Sequence, residues 1–500
     1  MRTQRLYHNW LSYAGVAIAV LSFVAFGFLL IFQALGAGVQ APYAGLVIFI
    51  LVPAVLLAGL LLIPVGMFFE WWRRKRNKPP SMDLYPKLDL NDQGDRKAVF
   101  FVATVTLFLV FLSVYGSYRA YQYTESVAFC GTLCHREMQP EYVTHDDSPH
   151  ARVRCVECHV GPGAEWFIRS KEEGIRQVYQ VATNTVPRPI PAPIERLRPA
   201  RAICEQCHWP AVFIGDKEIP TVHFLPDKQN TRWTITLLLK VGGSSRWRPQ
   251  SPGIHWHVAS HIRVEYIATD QYRQNIPWVR RIDLRTGQTT TFSVSGGPSQ
   301  EEIGRSEIRT MDCIDCHNRP THILRSPSDL LNRSMAAGYI DASLPDVKSV
   351  GVTLLDKKYD SGEAALQQIA SGMASYYRDH YPDLAREKKP LISAAVSWLQ
   401  EVYRENSFPY MKVRWDTYAD NIGHLDSVGC FRCHDGLHKS SSGEVVGKEC
   451  TKCHIILQQG TPGNMSFSSE PQGLAFQHPE SIGDLWKAMN CSDCHTGAIP

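Results

Sequence analysis

The sequence predicts a chain in two parts: an α-helical membrane anchor of three transmembrane helices, then a mixed, mainly α and irregular domain with a β-rich insertion. Three observations carry this expectation. Residues 1–120 hold three apolar runs and no cysteine. All 14 cysteines follow, and all fall in short motifs closed by Cys-His. Residues 221–300 switch to an alternating pattern rich in β-branched and aromatic residues, with no such motif.

The apolar runs are Ala14–Leu35, Ala44–Phe69 and Ala98–Tyr115, close to or beyond the roughly 20 residues a helix needs to cross a bilayer. Arg2 and Arg5 precede the first run, as in a signal peptide, but the run exceeds the about 7–15 apolar residues of a signal core. It therefore reads as an uncleaved anchor. The connection from Gly36 to Tyr43 carries no charge, whereas the one after Phe69 contains Arg73, Arg74, Lys75, Arg76, Lys78, Lys87, Arg96 and Lys97. Because basic loops stay inside, the 70–97 loop is expected in the cytoplasm, with Trp71 and Trp72 at the interface. The expected location is the bacterial inner (cytoplasmic) membrane, multi-pass, with everything after residue 120 in the periplasm.

The motifs are Cys130-Gly-Thr-Leu-Cys134-His135, Cys155-Val-Glu-Cys158-His159, Cys204-Glu-Gln-Cys207-His208, Cys313-Ile-Asp-Cys316-His317, Cys430-Phe-Arg-Cys433-His434, Cys450-Thr-Lys-Cys453-His454 and Cys491-Ser-Asp-Cys494-His495. A thiol pair followed at once by histidine is the chemistry of c-type haem attachment: the thiols add to the two vinyl groups and the histidine ligates the iron. Zinc would take two thiol pairs per ion and disulfides would not need the histidine, so neither explains the repeated ending. The sequence thus implies seven covalently bound c-type haems. Their propionates, about fourteen in all, would outweigh the formal charge of +4, so the basic balance is no sign of a nucleic-acid partner.

The expected domains are the anchor (1–120), a module for haems 1–3 (121–220), the β-rich insertion (221–300) and a module for haems 4–7 (301–500). Within them, Ala164 to Val181 has helical spacing and runs into the proline-rich stretch Thr185–Pro193, read as extended. Trp233–Leu239, His261–Ile267 and Thr289–Val294 read as strands, and Gly362–Arg378 and Pro390–Asn406 as amphipathic helices.

Second axial ligands can be sought among the histidines that do not follow cysteine. His8 lies on the cytoplasmic side, and His380 reads as a surface residue. The candidates are His150, His223, His255 or His257, His322, His424, His438 and His478. A second histidine on each iron would give low-spin haems suited to electron transfer. Met138 stands apart, three residues after His135.

The run Cys134-His135-x-x-Met138-x-Pro140, then Ser148-Pro-His150 and Cys155-Val-Glu-Cys158-His159, resembles the NapC/NirT/NrfH family of membrane-anchored, quinol-oxidising cytochromes. The resemblance implies that Met138 ligates the first haem and that His150 ligates another. It also implies a lysine near the quinol, matched by Lys171, and an acidic residue whose position is occupied by Gln177. With three helices and seven motifs the chain is similar to the larger ImcH-like inner-membrane cytochromes of metal-reducing bacteria. Gly253-Ile-His255-Trp-His257, Cys316–His322 and Asn421–His438 are the segments that carry this similarity.

The expected function is oxidation of membrane menaquinol or ubiquinol, with electrons passed to periplasmic cytochromes or reductases in anaerobic or extracellular respiration. Glu141, Asp146, Asp147 and Lys171 are the expected proton-handling groups, because quinol oxidation releases protons to tuned acid–base groups. Two other readings are a relay subunit docked to a separate quinol-oxidising partner and, lower in rank, a terminal oxyanion reductase with an open haem.

Overall fold

The computed structural model describes residues 6–7, 9–34, 51–76, 90–161, 163–194, 198–210, 215–242 and 253–498. They fall into two compact units, Met1–Glu125 and Ser126–Pro500.

The first unit is helical: α1 (Trp10–Ala34), α2 (Val52–Lys75) and α3 (Gln93–Thr124). α1 and α2 meet through small residues. A Cβ added at Gly15 would lie 2.7 Å from the Gly59 carbonyl oxygen, and one at Gly66 would strike Ser12 and Asn9. The Ser12 hydroxyl donates to the Ile63 carbonyl at 3.0 Å. Close backbone approach with a polar clasp is how helices associate in lipid, where burial of apolar surface gives no drive. Leu21, Leu61 and Phe111 point outward, each more than 60% exposed. Among the described residues, two helices are apolar and long enough to span a bilayer, Trp10–Leu29 and Val52–Lys75. α3 is helical across the whole expected third run and continues past both its ends. α2 ends on Arg73, Arg74 and Lys75, with Lys75 Nζ 5.1 Å from the Trp71 ring and the Arg76 guanidinium 3.7 Å from that of Trp72. Cation over indole suits a membrane interface. The start of the expected second run, with Lys78 and Lys87, lies outside the described residues.

In the second unit, the expected β segments form strands, but they do not close on themselves as a separate insertion. β1 (Lys217–Phe224) and β2 (Arg232–Leu239) form a four-stranded sheet with β8 (His454–Thr461) and β9 (Asn464–Phe467), in the order β1-β2-β8-β9. β3 (Ile262–Ile267), β4 (Trp278–Asp283) and β5 (Thr289–Ser293) take β6 (Arg309–Thr310) and β7 (Lys439–Ser440) onto their edges, in the order β6-β3-β4-β5-β7. The added strands flank attachment motifs. β6 ends three residues before Cys313, β7 starts just after His438, and β8 begins at His454. Each sheet therefore fixes motifs distant in sequence by backbone pairing.

The largest apolar core lies where no cysteine occurs. α6 (Pro327–Ala336), α7 (Val347–Asp356), α8 (Gly362–His380) and α9 (Lys389–Asn406) pack there. (α4 and α5 are the motif-flanking helices Gln139–Asp146 and Ala164–Ala182.) α8 buries Ala365, Ile369, Met373 and Tyr377, one residue per turn, and α9 buries Ile392, Ala395, Leu399, Val402 and Tyr403. That spacing makes one apolar stripe per helix, as the sequence expects for both segments. Ser326 and Ser361 cap α6 and α8 through their hydroxyls, satisfying a backbone N–H that the first turn leaves open.

Candidate haem and electron-transfer site

Each attachment motif forms a single tight turn. The histidine N–H donates to the carbonyl of the first cysteine in His208→Cys204, His317→Cys313 and His495→Cys491, each at 2.8 Å, and in His434→Cys430 at 3.1 Å. Residues three and four apart then share a face, so both thiols and the imidazole are presented on one side. Asp312 with Asp315, and Asn490 with Asp493, form capping boxes around two of these turns. None of the fourteen cysteines forms a disulfide.

The thiols also influence one another electrostatically from motif to motif in sequence order. Cys130 pulls the Cys155 thiol down, and Cys313 pushes the Cys204 thiol up. Cys158 lies within electrostatic reach of Cys207, Cys316 of Cys430, Cys453 of Cys430, and Cys491 of Cys450. These influences run through the motifs in sequence order, from the first to the last.

Opposite six of the motif histidines stands a second histidine. Ring centres are 6.3 Å apart for His159–His322, 6.0 Å for His208–His150 and 6.3 Å for His317–His255. They are 5.7 Å apart for His434–His257, 6.2 Å for His454–His424 and 6.0 Å for His495–His478. A metal between two imidazoles, with bonds of about 2 Å and each ring centre ~1.1 Å behind its nitrogen, needs ring centres ~6.3 Å apart. The donor pairs therefore fit a group held between them, and the thiols beside them fit its covalent attachment. Burial pushes His159, His257, His317, His424, His434, His454 and His495 below the usual histidine range, and His322 to about 4 with help from Arg319. Neutral imidazole is the form a metal takes.

Two of the expected second ligands are placed differently from the six facing histidines. His438 is 1% exposed, and both ring nitrogens are engaged, Nδ1 with Asp435 at 2.9 Å and Nε2 with the Ile276 carbonyl at 2.7 Å. His223 lies on β1 with its ring 6.0 Å from that of Trp233 and its Nδ1 3.3 Å from Asn332, within electrostatic reach of His495, whose ring His478 faces at 6.0 Å. Conversely, His255 and His257, taken as alternatives, face two different motifs. They sit two apart on the turn Ile254–Val258, where both side chains can diverge. His380 is exposed and stacked on Tyr376 at 4.4 Å, a surface residue as its sequence suggests.

His135 is exposed and, among the described residues, is the one motif histidine without a histidine ring opposite. Met138 lies half-buried at the start of α4, its N–H donating to the Cys134 carbonyl at 2.9 Å. His145, nearby, gives its Nε2 to the Val153 carbonyl at 2.8 Å.

The expected proton-handling groups separate. Asp146 and Asp147 are exposed at the end of α4, and Lys171 is exposed on α5. Glu141 is not at an open edge: its Oε2 lies 3.1 Å from His322 Nδ1 and 3.6 Å from Arg319, with its side chain 19% exposed. Burial pushes its carboxyl up and Arg319 pulls it back. Arg319 gives no sequence signal of its own beyond lying between Cys316 and His322. α5 leaves Ile168, Ile175 and Tyr179 exposed, each above 50%, along one side of the helix.

An anchor of apolar helices joined to a series of Cys-His turns defines a membrane-anchored multihaem c-type cytochrome of electron transport. Residues 93–198 match the family described as "NapC/NirT cytochrome c family, N-terminal region". Over 497 residues, 98% of this chain and 95% of the relative, the sequence is 42% identical to "Cytochrome c-type protein ImcH" of Geobacter sulfurreducens. The chain belongs to the NapC/NirT family of cytochromes, in its ImcH-like branch. No solved structure matches it.

Proposed function

We propose that the chain is a quinol dehydrogenase: an inner-membrane, multi-pass cytochrome whose periplasmic part carries seven haems, one on each motif. His135 and Met138 hold the first haem and the six facing histidine pairs hold the rest. The observation that carries this reading is that six separate pairs, drawn from distant parts of the chain, converge on the spacing one iron requires.

Haem supplies one-electron carriage, and the protein supplies ligands, spacing and burial. A methionine ligand favours the reduced state relative to histidine, so the first haem would accept electrons readily. The run of electrostatically neighbouring motifs would then give a path in sequence order away from it. The exposed apolar side of α5 offers a quinol ring a surface beside Lys171, while Asp146 and Asp147 are open carboxylates able to pass protons to the periplasm. Electrons would leave toward periplasmic cytochromes or reductases.

Stopped-flow reduction of the purified chain by a menaquinol analogue tests the proposal. Rapid reduction that Lys171→Ala slows, with every haem retained, is expected. If quinol reduces nothing while a small soluble reductant fills every haem, the chain is a relay fed by another subunit.

A further inference from the structure

The six second-ligand histidines differ in what holds their other ring nitrogen. Nδ1 faces a backbone carbonyl in His150 (Pro320, 3.3 Å), His255 (Val241, 3.0 Å), His257 (Ile254, 2.8 Å) and His478 (Glu480, 3.0 Å). In His424 the buried Nδ1 has no hydrogen-bond partner among the described residues. In His322 it faces the Thr144 hydroxyl at 3.3 Å, with a carboxylate, Glu141 Oε2, 3.1 Å away.

That carboxylate is held in place. Arg319 lies 3.6 Å from it, and Arg319 Nε donates to the His322 carbonyl at 2.6 Å, closing a ring of three residues. Thr144, one turn along α4 from Glu141, donates its hydroxyl to the Pro140 carbonyl at 2.6 Å. It thereby leaves its lone pairs toward His322 Nδ1 at 3.3 Å. Nδ1 is thus the hydrogen-bonding nitrogen and Nε2 the one left for iron. A carboxylate on the far nitrogen fixes a ligating imidazole and makes it a stronger donor than a carbonyl does. Stronger donation stabilises the oxidised iron and lowers its potential.

We propose that Glu141 is a positioning residue for His322 that sets the second haem below the other bis-histidine haems in potential. The inference rests on the assignment of His322 as a haem ligand. Glu141 lies three residues beyond Met138, so the two residues with opposite effects on potential stand at adjacent haems. Electrons entering at the first haem would meet a step at the second, and the second haem would stay mostly oxidised while the first is reduced.

The test is a redox titration of the full-length haem-loaded protein followed by optical and low-temperature EPR spectra. In Glu141→Gln one midpoint should rise, and the EPR g-spread of that haem should change while all haems stay low-spin. In Arg319→Gln, where the carboxylate loses its competing cation, the same midpoint should fall. Unchanged midpoints and g-values in both variants would overturn the proposal, as would high-spin iron in Glu141→Gln with no midpoint shift in Arg319→Gln. His322→Met separates the premise from the inference. If it alters one haem's spectrum while the other two variants shift nothing, only the role of Glu141 is lost. If it alters none, His322 is not a ligand and the premise fails.

Discussion

The helical region 327–406 and the motif-bearing remainder of the same unit are stabilised in different ways. In the first, apolar stripes on α6 to α9 interlock around Leu331, Val352, Ile369 and Leu399, all fully buried. In the second, the apolar clusters are small, such as Trp233, Ile235 and Ile456. Its interior is lined instead by imidazole pairs and thiols on one-turn helices, which are too short to be stable by themselves. A protein can fold on side-chain packing or around a prosthetic group, and the two regions are arranged for one and the other.

The sharpest way to break that contrast is to damage the helical core alone. Leu399→Ala should cost about 2–5 kcal/mol through the cavity it leaves, read as a lower urea midpoint for the helical signal. Haem content and the haem spectrum should be unchanged. Haem loss in this variant would show that the two regions are one cooperative unit.

A smaller effect distinguishes the regions by pH. Lys348 is 1% exposed, with its ammonium donating to Ser328 and Asn332. Burial holds it down from 10.5 to about 7, against the pull of Asp329 and Asp426. A lysine depressed in the folded state penalises folding most below pH ~7, and the penalty fades as pH rises toward ~10.5. The urea midpoint of the helical signal should therefore climb across that window by the equivalent of a few kcal/mol at most, and Lys348→Met should flatten the climb. A wild-type profile that is flat or falling would contradict the buried charge.

The smallest effect refines the comparison inside the haem region. His438→Ala should cost about 1–3 kcal/mol, because the Ile276 carbonyl loses its donor, yet leave every haem low-spin. Loss of a low-spin signal would return His438 to the set of ligands.

What could be read in the sequence follows from how local each signal is. The attachment turns are legible, since thiols, histidine and caps lie within six residues. The amphipathic helices were legible from their stripes. Sheet partners were not: β2 pairs with β8 more than 200 residues away, and nothing in Trp233–Leu239 announces it. Distal ligands were legible as a residue type and no further. His438 and His424 look alike in sequence, and only the structure shows the Ile276 carbonyl, 162 residues away, against the ring of the first. Glu141 reads as a surface acid until Arg319 and His322 are brought against it.

Magnetic circular dichroism and EPR of the membrane-extracted protein, beside its intact mass, test the central claim most directly. The account predicts seven haem additions, six irons with bis-histidine signatures and one with a histidine–methionine signature that Met138→Leu abolishes. Fewer than six bis-histidine irons, or a methionine signature that survives in Met138→Leu, would contradict it.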